Sequence, residues 1–303
     1  MTHTYIPAFT LTPTQRAPKK NEPVAVRTPR FIDDVAAGRV ELPTIPRVVQ
    51  QVIAALRDPE VDARRISRAL SQDPVLSAKV LRVANSAHFG STQPMASIDA
   101  AIARIGTQAL GRLVVACGVS SSFKTIPGID LRIFWRDALV AATAAHRLAP
   151  TLGADPEEAY LCGLLHAAGH LILCQSYPDI AKAMFEGFEI ARGSELAAIE
   201  RDAFGIDHPQ VGALWVQTLG FPATVADTIG KCAQTPADTD TALDAALRSG
   251  CALAAAVALA QAPDAALATL PAGLRQRCTA PDGTPHAAFV KLYEALQKTE
   301  PMV

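Results

Sequence analysis

Ile45-Pro46-Arg47-Val48-Val49-Gln50-Gln51-Val52-Ile53-Ala54-Ala55-Leu56 decides the fold class. Its apolar residues Ile45, Val48, Val49, Val52, Ile53 and Leu56 recur at i, i+3, i+4, i+7, i+8 and i+11, one stripe down one helical face. Pro46 falls in the first turn, where its missing N–H has no intrahelical partner to lose. Asp58-Pro59 closes the segment, and the same grammar continues downstream. Asp62 caps a predicted helix carrying Ile66, Ala69 and Leu70. Asp73-Pro74 is a cap followed by a first-turn proline, opening a helix through Val75, Leu76, Val80, Leu81 and Ala84. Ser97 and Thr107 are further predicted caps, the latter before an apolar run from Leu110 to Val119. Five short helices thus make an N-terminal lobe over residues 31–125.

A second helical block is predicted over 126–265. One helix covers Phe134 to Leu148, and a second runs from the Asp155-Pro156 cap to Cys174. Ser194 starts a third, which Gly205 closes. Asp207-His208-Pro209 opens a fourth, closed by Gly220, and Pro222 starts a fifth. An alanine-rich helix over about 242–261 and a terminal helix over about 284–298 follow, with residues 266–303 forming a C-terminal helical extension. No segment alternates apolar and polar residues as a strand does. The chain is predicted to be all-α, a two-lobed helical bundle.

Composition agrees. At 303 residues the chain is near the limit for one hydrophobic core, which favours two packed lobes. Half the residues are hydrophobic, enough to exclude a wholly disordered chain, and only 5% are aromatic, poor for a sandwich or barrel. The formal net charge of −1 offers no global field to nucleic acid or an anionic membrane. The longest near-apolar stretch, Cys251–Ala260, is too short to span a bilayer. Six cysteines without a C-x-x-C pair argue against a disulfide or zinc framework and fit a reducing, cytoplasmic compartment. Residues 1–30 hold five prolines and five basic residues against the single acid Glu22. They read as a flexible basic leader.

No phosphate-binding loop, nucleophile elbow or dinucleotide fingerprint is present. Chemistry therefore rests on histidines and carboxylates. His166 and His170, in Leu164-Leu165-His166-Ala167-Ala168-Gly169-His170, share one helical face at a spacing that can chelate zinc. The zincin general base would sit at Ala167, which excludes a metalloprotease. Trp135 and Trp215 read as core anchors, and Asp207 as a helix cap. Arg57, Arg64, Arg65 and Arg68 are interleaved with Asp58, Glu60 and Asp62, a solvated mixed face.

Several of these runs are familiar in order and spacing. They are Leu42-Pro43-Thr44-Ile45-Pro46, Asp58-Pro59, Asp73-Pro74-Val75-Leu76, Leu81-Arg82-Val83-Ala84-Asn85-Ser86-Ala87, Gly163-Leu164-Leu165-His166, and Phe204-Gly205-Ile206-Asp207-His208. Together they resemble the HDOD family, signal-output relatives of the HD-domain phosphohydrolases, over about Glu41 to Cys232. The resemblance implies an HD-like second lobe, in which catalytic relatives hold divalent metal with histidine and aspartate ligands. Carried over position by position, the first ligand histidine falls near Asp137. The defining His-Asp pair falls at His166-Ala167, and later paired histidines fall at about Lys231-Cys232. Ala245 to Pro263 supplies no acid for the last ligand. The lysine of nucleotide-cleaving relatives falls at His170.

The expectation is accordingly a bacterial, non-enzymatic regulatory module with no catalytic residue, no cofactor and no intact metal site. His166, His208 and Asp137 would remain as vestiges. It would act through a signalling protein partner, with components of cyclic-dinucleotide pathways as candidates, or through a small ligand. Asn85, Ser86 and His170 are the candidates for a groove between the lobes, although Asn85 and Ser86 also suit backbone contacts at a helix end. The alternative is a metal-dependent phosphohydrolase or phosphodiesterase with a non-standard ligand set. A nucleic-acid-binding regulator is disfavoured by the near-neutral charge.

Overall fold

The computed structural model describes residues 30–56, 63–85, 94–126, 128–187 and 193–300. The predicted leader up to residue 29, the Asp58-Pro59 stop, the Asp62 cap and Ser86 lie outside the described residues. Within them the chain is helical and no sheet forms, the β-type pairings being isolated bridges at Ile126–Ile129 and Thr279–Pro285.

The first helices are α1 (Phe31–Ala36), α2 (Arg47–Leu56), α3 (Ala63–Leu70), α4 (Pro74–Ala84), α5 (Ile98–Ile105) and α6 (Thr107–Ser121). Asp73 caps α4 by accepting from the Leu76 N–H, and Ser97 caps α5 through Ala100 N–H, as their sequence positions predict. Thr107 is not a cap. Gly106, at φ 84°, precedes α6 and frees Thr107 to be its first helical residue. Val48, Val49, Val52 and Ile53 of α2 are buried, and Val49 meets Gly118 of α6; a Cβ at Gly118 would lie 2.1 Å from Val49 Cγ2. One short helix, α1, adds to the five predicted. It is held by Phe31 packing edge-on to Tyr177 and by the Tyr177 hydroxyl donating to Asp34 at 2.7 Å.

Then follow α7 (Leu131–Leu152), α8 (Pro156–Leu165), α9 (Ala168–Ser176), α10 (Pro178–Gly187), α11 (Gly193–Phe204), α12 (His208–Thr218), α13 (Ala223–Lys231) and α14 (Ala242–Ala258). Two backbone-close crossings organise them. Gly163 of α8 and Gly250 of α14 both abut α7. Added Cβ atoms would lie 2.5 Å from Ala142 Cα and 2.5 Å from Ala141 O respectively. Trp135 and Trp215 are fully buried on either side of Phe123, each ring centroid 5.5 Å from it. The Trp215 indole donates to Pro43 O at 2.7 Å, pinning the strap before α2 onto α12.

The helix predicted from Asp155 to Cys174 is two helices. The backbone breaks at His166-Ala167, and α9 restarts so that Gly169 can lie against α12. The alanine-rich helix ends earlier than predicted, at Ala258, where the chain turns through Ala260 at φ 50°. The terminal helix α17 (Ala287–Gln297) follows two short ones, α15 (Pro263–Ala268) and α16 (Ala272–Arg277), which carry too few residues to show a period in sequence. These three cover the outer face of α7 and α14 with a second apolar cluster, including Leu267, Leu274, Phe289, Tyr293 and Leu296. Leu243, Ala246 and Leu247 of α14 belong instead to the main core. Among the described residues no helix is long and apolar enough to cross a membrane.

The α9–α12 crossing generates a prediction. A Cβ at Gly169 would lie 2.1 Å from His208 O and 2.7 Å from Gly212 N, backbone atoms that cannot rotate away. Gly169→Ala is expected to lower stability by about 1–3 kcal/mol. Gly230→Ala meets only Ala213 Cβ at 3.5 Å and is expected to be neutral or slightly stabilising. Denaturant unfolding of the two variants checks the contrast.

Candidate functional site

A cavity of about 330 Å³ opens where α7, the α8–α9 break, α11, α12 and α14 converge. Asp137, His166 and His208, the three residues carried over from the HD metal set, all line it. The helix break aims His166 there. Its Nδ1 lies 2.8 Å from Gly163 O, which sets Nδ1 as the donor and leaves Nε2 with its lone pair. Burial holds the His166 pKa below its ordinary value, against Gly163 O and Asp137, so the ring is neutral. Asp137, on α7, is clasped by its neighbour Arg136, with Nε and Nη2 at 3.0 and 2.5 Å from Oδ1.

The third residue, His208, opens α12 behind its Asp207 cap. Its Nδ1 lies 2.6 Å from Oε2 of Glu200, and its backbone N–H donates to the same oxygen at 2.7 Å. The other oxygen of Glu200 is 2.6 Å from Nδ1 of His170. Glu200 is completely buried and both histidines nearly so. One carboxylate therefore ties α9, α11 and α12 together and also sits at the positive N-terminal end of α12. Burial alone would raise the Glu200 pKa, but His208 and His170 outweigh it and hold it down at about 2. Burial alone would lower His170, but the adjacent Cys174 thiol and Glu200 carry it up to about 10.

Glu200 is the residue that the sequence reading missed. Its signal was available: it lies four residues from both Leu196 and Phe204, on the buried face of α11, where an unpaired carboxylate would not survive. His170 belongs to this internal network and does not line the cavity. Asn85 is far from either in role. Its amide donates to Met95 O at 2.9 Å and accepts from Met95 N at 2.6 Å, closing the segment between α4 and α5.

The remaining walls do not replace the missing ligands. Ala167, Ala254 and Ala255 line the cavity, and Cys232 and Cys251 are thiols whose pKa values burial pushes up, Cys251 to about 12. Asp244, the one acid of α14, accepts from Thr241 in the cap of that helix. Among the described residues no three His, Cys, Asp or Glu side chains are grouped to hold a metal ion. Asp137, His166 and His208 would be a sufficient ligand set by type, but they do not converge on one point and Arg136 occupies Oδ1 of Asp137, so as placed they do not fit a divalent ion.

The HDOD domain model matches residues 42–235, more than half of the chain. The chain belongs to the HDOD family. A solved HDOD domain protein of unknown function from Geobacter sulfurreducens is 22% identical, with 88% of this chain and 86% of that one covered and a TM-score of 0.58. A proposed phosphohydrolase from Shewanella amazonensis SB2B is 26% identical, covering 88% of this chain and 96% of that one, at a TM-score of 0.66. An uncharacterised protein of Treponema pallidum (strain Nichols) is 24% identical over 212 residues, 69% of this chain. The HDOD chain spans about two-fifths (41%) of that curated relative.

The Glu200 network sets the pH response of this HDOD domain. Glu200, held below its ordinary 4.5, contributes stability that is fully present above that pH and is lost as pH falls towards about 2. His170, raised above 6.5, contributes fully below that pH and loses its contribution as pH rises towards about 10. Glu200→Gln is expected to cost about 3–5 kcal/mol near neutrality and to flatten both limbs of the stability–pH curve. Chemical denaturation across that range reads both effects, and an unchanged profile in the variant refutes the coupling.

Proposed function

We propose that this chain is a regulatory HDOD module that acts by binding, to a signalling protein or a small ligand, and does not hydrolyse phosphoesters. The observation that carries this reading is the chemistry of the inherited cavity. The aspartate of the His-Asp pair is Ala167, and Asp137 accepts from Arg136. Glu200 is engaged by the Nδ1 atoms of His170 and His208 and does not line the cavity. Without a metal to activate water and neutralise phosphate charge, two imidazoles offer little to a phosphodiester.

Bacterial signalling, a cytoplasmic location and a link to cyclic-dinucleotide pathways accord with the family's role as an output domain. The solved relative named as a proposed phosphohydrolase favours the alternative, hydrolysis with a non-standard ligand set. One experiment separates the two. Protein purified without chelator or a metal-carrying tag is assayed for Mn, Fe, Zn, Mg and Ni by plasma mass spectrometry, and for cleavage of bis(p-nitrophenyl) phosphate. Substoichiometric metal and no cleavage above buffer are expected, unchanged in His166→Ala. Near one equivalent of a transition metal with cleavage, both lost in His166→Ala, overturns the reading.

A further inference from the structure

Two helices face each other across a second cavity, of about 490 Å³, that shares no lining residue with the first. Leu139, Thr143, His146 and Arg147 of α7 lie at i, i+4, i+7 and i+8, one face of the helix. Ala109, Arg112 and Leu113 of α6, with Ile105 at the end of α5, supply the opposing wall at the same spacings. The floor is apolar, from Leu113, Leu139 and the ring of Tyr160.

Two arginines, Arg112 and Arg147, line the cavity. Arg112 and His146 share a single carboxylate, Glu157, at 2.6 and 3.3 Å. The Arg112 guanidinium also lies over the Tyr160 ring, 5.7 Å from its centroid, so its position is fixed from two sides. Arg147 lines the same space and has no hydrogen-bonded or ion-paired partner among the described residues. The Thr143 hydroxyl adds a donor. On the opposite side of Arg112 and Tyr160 lies a cavity of about 560 Å³ whose charged lining includes Asp155, Glu157 and Glu158. Arg112 lines both spaces, but the acids line only the larger one, and Arg147 lines only the smaller.

We infer that the cavity between α6 and α7 is a binding site for a small organic anion with an apolar body, its charged group held by Arg147 and Arg112 and its body lying on Leu113, Leu139 and Tyr160. The volume falls within the range of small-molecule sites, and the mixture of an apolar floor with a few convergent polar groups is the composition such sites share. Since α6 belongs to the N-terminal helices and α7 to the HD-like set, the bound anion would touch both. The site is independent of the Glu200 cavity, so its test and the metal test fail separately.

The experiment uses the full chain and two probes with the same aromatic body. These are 1-anilinonaphthalene-8-sulfonate, which is anionic, and N-phenyl-1-naphthylamine, which is neutral. Titration followed by fluorescence, with stoichiometry from equilibrium dialysis, is expected to give one saturable sulfonate site per chain. Affinity should be at least about tenfold tighter than for the neutral probe, the scale of one charge-assisted contact. Arg147→Glu, at an exposed and unpaired side chain, should erase that preference with an unchanged unfolding midpoint. Ala109→Trp should fill the space and remove binding of both probes at this site. Equal affinity for the two probes, no saturable binding, or full sulfonate affinity in Arg147→Glu overturns the inference. Arg147→Glu decides the matter even if the bulky variant does not fold.

Discussion

A single buried carboxylate sets the geometry on which the HD-like half depends. Glu200 reaches from α11 to imidazoles on α9 and α12, and it accepts the first backbone N–H of α12 as well. A lone ionised group in that position would be untenable, and its three donors make it tolerable. Such a network need not add more net stability than well-packed hydrocarbon would. What it does is specify: the two histidines have their Nδ1 atoms fixed, and with them the ring orientations and the relative placement of three helices.

Bonds of the same kind orient the rings that line the cavity. His208 keeps an oriented ring through Glu200, and His166 keeps one through Gly163 O. Hydrogen-bonded imidazoles of this kind commonly support metal ligands. Here those bonds are present, and the rest of the cavity wall includes alanines, buried thiols and an aspartate that Arg136 holds.

The fold was legible wherever local chemistry acts alone. The caps at Asp73, Ser97, Asp155 and Asp207 are formed by side chains bonding to backbone two or three residues away, so the sequence displays them directly. The break at His166-Ala167 was not legible, because its cause is the approach of Gly169 to α12, about forty residues downstream. Asp137, His166 and His208 were found because family resemblance marks them, and the fold does bring them to one cavity. Glu200 escaped because its meaning depends on partners on two other helices. Asn85 was legible as a polar residue at a helix end, but its partner Met95 lies ten residues on, a pairing that no periodicity reveals.

The glycine contacts on α7 carry a mechanical consequence. Gly163 and Gly250 bring α8 and α14 against the Ala141–Ala142 backbone with no intervening side chain that could flex. Rotating or sliding α7 would drive backbone into backbone, so α7 is the stationary frame of the molecule. The wall opposite, α6, has its own close approach at Gly118, but there the neighbour is the Val49 side chain and not backbone. The α6–α7 space therefore has one wall set by backbone-to-backbone contact and the other by contact with a side chain.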